Sequence, residues 1–299
     1  MIEPDSRIRN REATDRTNLL PKIKEAFDAR KSTEPFLVHI AGQSAAGKST
    51  ISSLIVATFD SGIVRIDDYL KGFIPNLNHD SGDPEKPFFA GLNPMVYDLD
   101  QLRLDMISLK SGQTIQKPVF DEIHKRRVGV ETQPPQDLIV VDGIYALSSP
   151  FVDLADATVL VEAPLHDRLM RKVIRNHLSY QQEIDGIIGT YLASDEPTYR
   201  FHREGLANAA DLVVNNPADP SSDYHQLLKG AEAVNIPTEG IAVPKSSHGS
   251  LHPVETLSFT KNTEGEMVFQ YAVGGKRLFR GPISQTTYNL VQQFYTIAE

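Results

Sequence analysis

An α/β fold, a mostly parallel sheet flanked by helices with a small antiparallel β-meander and a helix at the C-terminal end, follows from three stretches of the sequence. In the first, Gly42-Gln43-Ser44-Ala45-Ala46-Gly47-Lys48-Ser49-Thr50 fits the pattern G-x-x-x-x-G-K-[ST]. The run Phe36-Leu37-Val38-His39-Ile40-Ala41 precedes it, and Ile51, Leu54, Ile55 and Phe59 follow at helical spacing. Strand, glycine loop and helix are the context that a phosphate-binding loop requires. In the second stretch, Leu138-Ile139-Val140-Val141 is continuously apolar and ends in Asp142, as a strand buried on both faces of a parallel sheet should. In the third, Val254 to Thr260, Glu266 to Val273 and Lys276 to Arg280 read as three short strands, and Ser284 caps a closing helix that runs to Ala298.

The chemistry of the first two stretches is that of a P-loop NTPase fold. Backbone N–H groups of such a loop point at phosphate oxygens, and the helix N-terminus adds partial positive charge. Gly42, Ser44, Ala45, Ala46, Gly47, Lys48, Ser49 and Thr50 are therefore the expected nucleotide contacts. Lys48 is expected to reach the β- and γ-phosphates, and the Ser49 hydroxyl to sit on Mg²⁺. Asp142 stands where a Walker B carboxylate holds the same ion directly or through water.

The remaining elements follow in order. Residues 1–16 are polar and expected to be loose or to lie on the surface, and Asn18 to Arg30 forms an amphipathic helix through Leu19, Leu20, Ile23, Ala26 and Phe27. Ile63-Val64-Arg65-Ile66 is a second strand, and Asp67-Asp68 places two carboxylates at its carboxyl end, where doubly wound sheets bind ligands. Residues 71–97, rich in Gly and Pro and carrying Phe88 and Phe89, make a loop too long to be mere connection. A helix over 98–109 and a hairpin over 115–130 follow, the hairpin carrying Lys125-Arg126-Arg127. Ala157 to Glu162 is a further strand. Pro164 opens a helix with Arg168, Arg171, Lys172 and Arg175 along one side and Leu165, Leu169, Val173 and His177 along another. Helices over 184–192, 198–208 and 222–233 surround a last core strand at 211–214. The sequence thus divides into an N-terminal extension (1–34), a phosphate-loop domain (35–234) and a β-rich appendage (235–299).

Whole-chain properties bound the partners. The 299 residues are 40% hydrophobic and 23% charged, enough to bury a large core. A net charge of −9, with basic residues scattered, argues against nucleic acid as the main partner. The absence of cysteine excludes disulfides and thiolate metal sites and suits the cytoplasm. No run has membrane-spanning length and the first residues lack a signal-peptide pattern, so no membrane partner is expected. The appendage leaves open a homo-oligomer or a cover over the site.

Over roughly residues 35–233 the chain resembles the uridine kinase and phosphoribulokinase family of P-loop kinases. The motifs that carry the resemblance are GQSAAGKST, RIDDYLKG, KPVFDEIHKRR, DLIVVDGIYAL, LMRKVIRN and ADLVVNNP, in that order. The resemblance implies that Asp67 acts on the substrate alcohol, with Asp68 as the alternative, and that Arg171, Lys172 and Arg175 form a lid around the transferring phosphoryl group. Physics agrees, because a carboxylate that orients an alkanol and accepts its proton turns a poor nucleophile into a competent one.

The positions by which uridine kinases read a nucleoside do not match. Leu92 stands where the family has a ribose-binding Asp, Phe120 and Lys125 stand where it has a Tyr and a His (with His124 one residue away), and Tyr180-Gln181-Gln182 replaces the lid's Arg-Gly-Arg. The reading is therefore an ATP- and Mg²⁺-dependent kinase acting on a hydroxyl of a small polar metabolite: a sugar, a sugar phosphate or a hydroxy acid rather than uridine. Asp68, Tyr69, Phe88, Phe120, His124, Lys125 and Arg126 are the expected acceptor contacts. The alternative is an ATP-binding regulator or scaffold of the same fold without metabolite kinase activity.

Overall fold

The computed structural model describes residues 12–14, 16–71, 94–121, 124, 126–229, 231–234, 239–245 and 250–298. In chain order the first elements are β1 (Glu12–Thr14), α1 (Arg16–Asp28), β2 (Phe36–Gly42), α2 (Lys48–Phe59), β3 (Gly62–Arg65), a single 3₁₀ turn (Ile66–Tyr69), α3 (Leu99–Lys110), the strands β4 (Ile115–Asp121) and β5 (Arg126–Gln133), β6 (Leu138–Asp142), α4 (Ser149–Val152) and β7 (Ala157–Glu162). Then come α5 (Leu165–Tyr180), α6 (Ile184–Thr190), a π turn (Tyr191–Asp195), α7 (Glu196–Ala209) and β8 (Leu212–Asn215). The C-terminal part holds α8 (Pro220–Asp223), α9 (His225–Leu228), β9 (Glu232–Ala233), β10 (Ala242–Pro244), β11 (Glu255–Lys261), β12 (Met267–Val273), β13 (Lys276–Ile283), α10 (Gln285–Phe294) and β14 (Tyr295–Ile297). Two compact units result: Met1–Glu162 with Thr198–Asn216, and Ala163–Pro197 with Pro217–Glu299.

The first unit is built on a six-stranded sheet in the order β3-β6-β2-β7-β8-β1, with every pair parallel. Its central strands are mostly apolar because both faces are covered. Alternation splits each strand between two layers. Leu37, Ala41, Ile139, Val141 and Leu160 face a cluster with Leu102, Met106, Tyr199 and Leu206, whereas Phe36, Val38, Ile40, Val140 and Val159 join Leu19, Ile23, Ile51 and Ile55. Each fully buried Leu, Ile or Val contributes about 1.5–3 kcal/mol. Residues 12–14, expected to be loose or to lie on the surface, pair with β8 at the sheet edge. The expected hairpin forms as β4 and β5, with a register shift at Val119/Phe120.

In the second unit the three expected C-terminal strands form the meander β11-β12-β13, with β9 at its edge. Phe269 and Tyr271 of β12 lie in its core with Leu257, Phe259, Phe279 and the apolar side of α5 and α6. Ser284 caps α10 as expected, its hydroxyl accepting from the Thr287 N–H at 3.2 Å. That helix stops at Phe294, after which β14 pairs with β10, so the helix expected to reach Ala298 is shorter. The helix expected over 222–233 is likewise two short helices, α8 and α9, and the two-residue strand β9.

Candidate functional site

A parallel sheet places the carboxyl ends of all its strands on one edge, and three expected site segments meet that edge in the first unit: Gly42 ends β2, Asp142 ends β6 and Asp67 follows β3; Asn216, which was not expected there, follows β8. Asp142 is paired with Ile40 on one side and Arg65 on the other. The glycine loop and the Asp67 turn thus lie two strand spacings apart, roughly 10 Å, leaving room for a phosphoryl group and an acceptor between them.

The loop has the backbone its glycines predict. Gly42 has φ +154°, Ala45 φ +62° and Gly47 φ +100°. A Cβ on Gly42 would run into the Val161 carbonyl oxygen of β7, and one on Gly47 into the amide nitrogen of Asn216. Asn216 is the functional residue that sequence reasoning left unused: its Nδ2 donates to the Ala46 carbonyl at 2.7 Å, and its own N–H donates to Glu162 at 2.7 Å. The loop is thereby pinned to β8. Within it, the Ala46 N–H and the Lys48 ammonium both donate to the Gln43 carbonyl, at 3.1 and 3.2 Å. Gly47 caps α2 and, being glycine, offers the first-turn N–H groups of that helix no side-chain acceptor. An anion fits such an end.

Ser49 is exposed in the first turn of α2, and Ser44 and Thr50 flank the same loop. Asp142 is only 5% exposed, and its carboxylate makes no hydrogen bond or ion pair with any described residue. A carboxylate buried that far needs a partner, and a hard cation or its water supplies one. The oxygen donors present fit Mg²⁺, which Ser49 and Asp142 would hold.

The Asp67 turn is held from several sides. Asp67 is exposed and accepts from the Tyr97 hydroxyl at 3.4 Å, and the Tyr97 ring packs edge-on against Tyr145, 5.4 Å between centroids. Burial pushes the Tyr145 hydroxyl above its ordinary range. Asp68 points elsewhere, toward buried Lys117 at 3.4 Å and the Phe120 N–H at 3.5 Å. Lys117 also meets Glu131 at 2.8 Å and holds its carboxyl below the usual range. Tyr69, expected to touch the acceptor, is fully buried and donates to Asp105 at 2.7 Å, which makes it a core residue. His124 is exposed and bonded to Asp121 at 2.7 Å within its own hairpin, and Arg126 is exposed opposite Asp121 in the register. Phe88, Leu92 and Lys125 lie outside the described residues.

Arg171, Lys172 and Arg175 belong to the second unit. There Arg171 lies 3.5 Å from Asp223 and Lys172 3.5 Å from Asp195, whose carboxyl burial raises against the pull of Lys172. Arg175 donates to the side chain of Asn176 at 3.2 Å. Arg168, grouped with them by spacing, is buried and donates to Glu196 at 2.6 Å and to the Tyr191 hydroxyl at 2.7 Å, so it anchors the helix.

Compared with known families, residues 37–220 match the phosphoribulokinase / uridine kinase family. The chain belongs to that family. A uridine kinase of Latilactobacillus sakei is 31% identical over 185 residues, 60% of this chain and 85% of that protein. Inorganic pyrophosphatase TTM1 of Arabidopsis thaliana is 28% identical over 213 residues, 69% of this chain but only 31% of the plant protein. Among solved structures, a candidate fructose transport system kinase of Silicibacter sp. TM1040 is similar with a TM-score of 0.53 at 19% identity, covering 67% of this chain and 99% of that one. This member of the family is therefore a P-loop kinase by sequence and by fold.

Proposed function

We propose that this P-loop kinase transfers the γ-phosphoryl group of ATP, with Mg²⁺, to a hydroxyl of a small polar metabolite such as a sugar, a sugar phosphate or a hydroxy acid. The observation that carries the reading is the exposed Asp67 carboxylate on the same sheet edge as the glycine loop and Asp142. When bound, ATP with its metal supplies the transferable group and neutralises its charge. The chain's own part is to seat the phosphates on the loop amides and Lys48, to hold the metal at Ser49 and Asp142, and to orient the acceptor hydroxyl at Asp67, which takes its proton. Arg171, Lys172 and Arg175 complete the neutralisation in this reading. The candidate fructose transport system kinase supports a sugar-type acceptor, and Leu92, Phe120 and Lys125 disfavour a nucleoside.

Asp67→Asn tests the assignment. ATP binding should persist while ADP release with the best acceptor falls about 10²–10⁴-fold; undiminished turnover rejects it. In a panel of nucleosides, sugars, sugar phosphates and hydroxy acids, uridine should be inactive, and uridine as the best substrate overturns the acceptor reading. One observation favours a second reading, an ATP-binding regulator: Arg171 and Lys172 already pair with Asp223 and Asp195. It requires ATP binding with no turnover across the whole panel.

A further inference from the structure

Arg127 ends the basic run Lys125-Arg126-Arg127 of the hairpin, and its guanidinium is turned onto backbone. Its Nε donates to the Leu70 carbonyl at 2.9 Å and its Nη2 to the Tyr69 carbonyl at 3.0 Å, with the Asp98 carboxylate 3.4 Å from the same nitrogen. These two carbonyls close the 3₁₀ turn Ile66–Tyr69 that carries Asp67. A single turn cannot hold itself, since nucleation fixes several residues for one hydrogen bond, and its last carbonyls have no acceptor duty inside the turn. At its end the Leu70 N–H donates to the Asp67 carbonyl at 3.2 Å.

Further restraints come from other segments, the Tyr97 hydroxyl on Asp67 among them. Asp98 donates its N–H to Tyr69 at 2.8 Å and Lys71 its N–H to Val96 at 2.8 Å, while Lys117 and the Phe120 N–H hold Asp68. Arg127 grips two successive carbonyls, a task suited to the rigid fork of a guanidinium and not to the point charge of an ammonium. We infer that Arg127 is a positioning residue: strand β5 clamps the Asp67 turn through it, so that the carboxylate keeps its place on the sheet edge while Arg127 itself makes no contact with the acceptor. The inference rests on the proposed role of Asp67.

The test compares Arg127→Ala and Arg127→Lys with the wild type. Displacing a reacting group by about 1 Å costs on the order of 10²-fold, so Arg127→Ala should lower kcat about 100-fold with the KM values for ATP and acceptor within about threefold. Arg127→Lys should recover only part of kcat, and free guanidinium, well below unfolding concentrations, should restore kcat to Arg127→Ala but not to Asp67→Asn. A tenfold or larger rise in the acceptor KM with kcat kept makes Arg127 a substrate-binding cation and overturns the inference. Hydrogen exchange at the Leu70 and Lys71 amides reads the clamp without any turnover. Exchange at least tenfold faster in Arg127→Ala, with β6 unchanged, supports it, and unchanged exchange at Leu70 and Lys71 overturns it. If the wild type phosphorylates nothing, the proposed function falls, while the exchange measurement still decides the clamp.

Discussion

Gly47 shows how much one residue of the loop must do. Its φ of +100° is open to glycine, and the space where a Cβ would stand is taken by the Asn216 amide that holds the Ala46 carbonyl. Gly47→Ala should therefore lose at least tenfold in affinity for a fluorescent ATP analogue, because backbone strain of this kind costs of order 1–3 kcal/mol at the place where phosphate is gripped. Adding Asn216→Ala removes the contact and leaves the strain, so the double variant should bind no better than partway back to wild type. Full recovery would show that φ was not limiting. The loop itself was legible in the sequence because its residues are contiguous. Tyr97, Asn216 and Arg127 were not, since each reaches the site from a distant segment, and a side chain's choice between backbone, carboxylate and ligand is made by folding. Tyr69 illustrates the same limit: it stands next to the acidic pair in sequence, yet its ring is directed inward.

At the scale of elements, the alternation of Met267, Phe269 and Tyr271 and the dipeptide Gly274-Gly275 were enough to read the meander. The stripes of α5 were legible only in part. Leu165, Leu169 and Val173 are buried as their spacing requires, but Arg168 and His166 are buried too. His166 sits between the Tyr295 hydroxyl and the Glu255 carboxylate, 3.2 Å from each, and Glu255 also accepts from the Tyr271 hydroxyl and the His252 N–H. Burial alone would raise the Glu255 carboxyl, but His166, Tyr271 and the His252 N–H outweigh it and hold the carboxyl below its ordinary range. Glu255→Ala leaves these buried donors without their acceptor, so it should cost about 3–5 kcal/mol in urea unfolding. Tyr271→Phe, which removes one donor and keeps the charge, should cost about 1.5–3 kcal/mol. Equal costs would show that packing rather than the carboxylate dominates. No local pattern announces such a bond between α5 and β11, because its partners are far apart in the chain.

For the whole molecule, acid stability has one dominant contributor in the near-neutral range. His39 is fully buried in the centre of β2, with Nδ1 2.9 Å from the Ala146 carbonyl, and burial lowers its pKa from 6.5 to about 4. The unfolded chain takes up this proton first, so stability is intact above pH 6.5 and is lost as the pH falls toward 4, by about 3 kcal/mol. Glu255, with its lowered carboxyl, adds loss only in more acid solution, while burial-raised Asp167 and Asp195 act the other way. The informative quantity is therefore a difference. His39→Asn should be less stable near neutrality yet vary less between pH 6.5 and 4, by the same ~3 kcal/mol, and parallel curves for the two proteins would dismiss the histidine as the cause. The fold class was legible because the central strands are apolar on both faces. The grouping of 163–197 with 217–299 was not, because links such as His166 to Glu255 and Ser284 to Asp185 join segments that sequence order keeps apart. The sheet's edge strand has a further consequence, in time. β1 pairs with β8, Glu12 beside Leu212. During synthesis at roughly 5–20 residues per second, β1 leaves the ribosome tens of seconds before its neighbour exists. β1 is thus among the last strands of its sheet to be seated, and a nascent chain halted before Leu212 would display it bare.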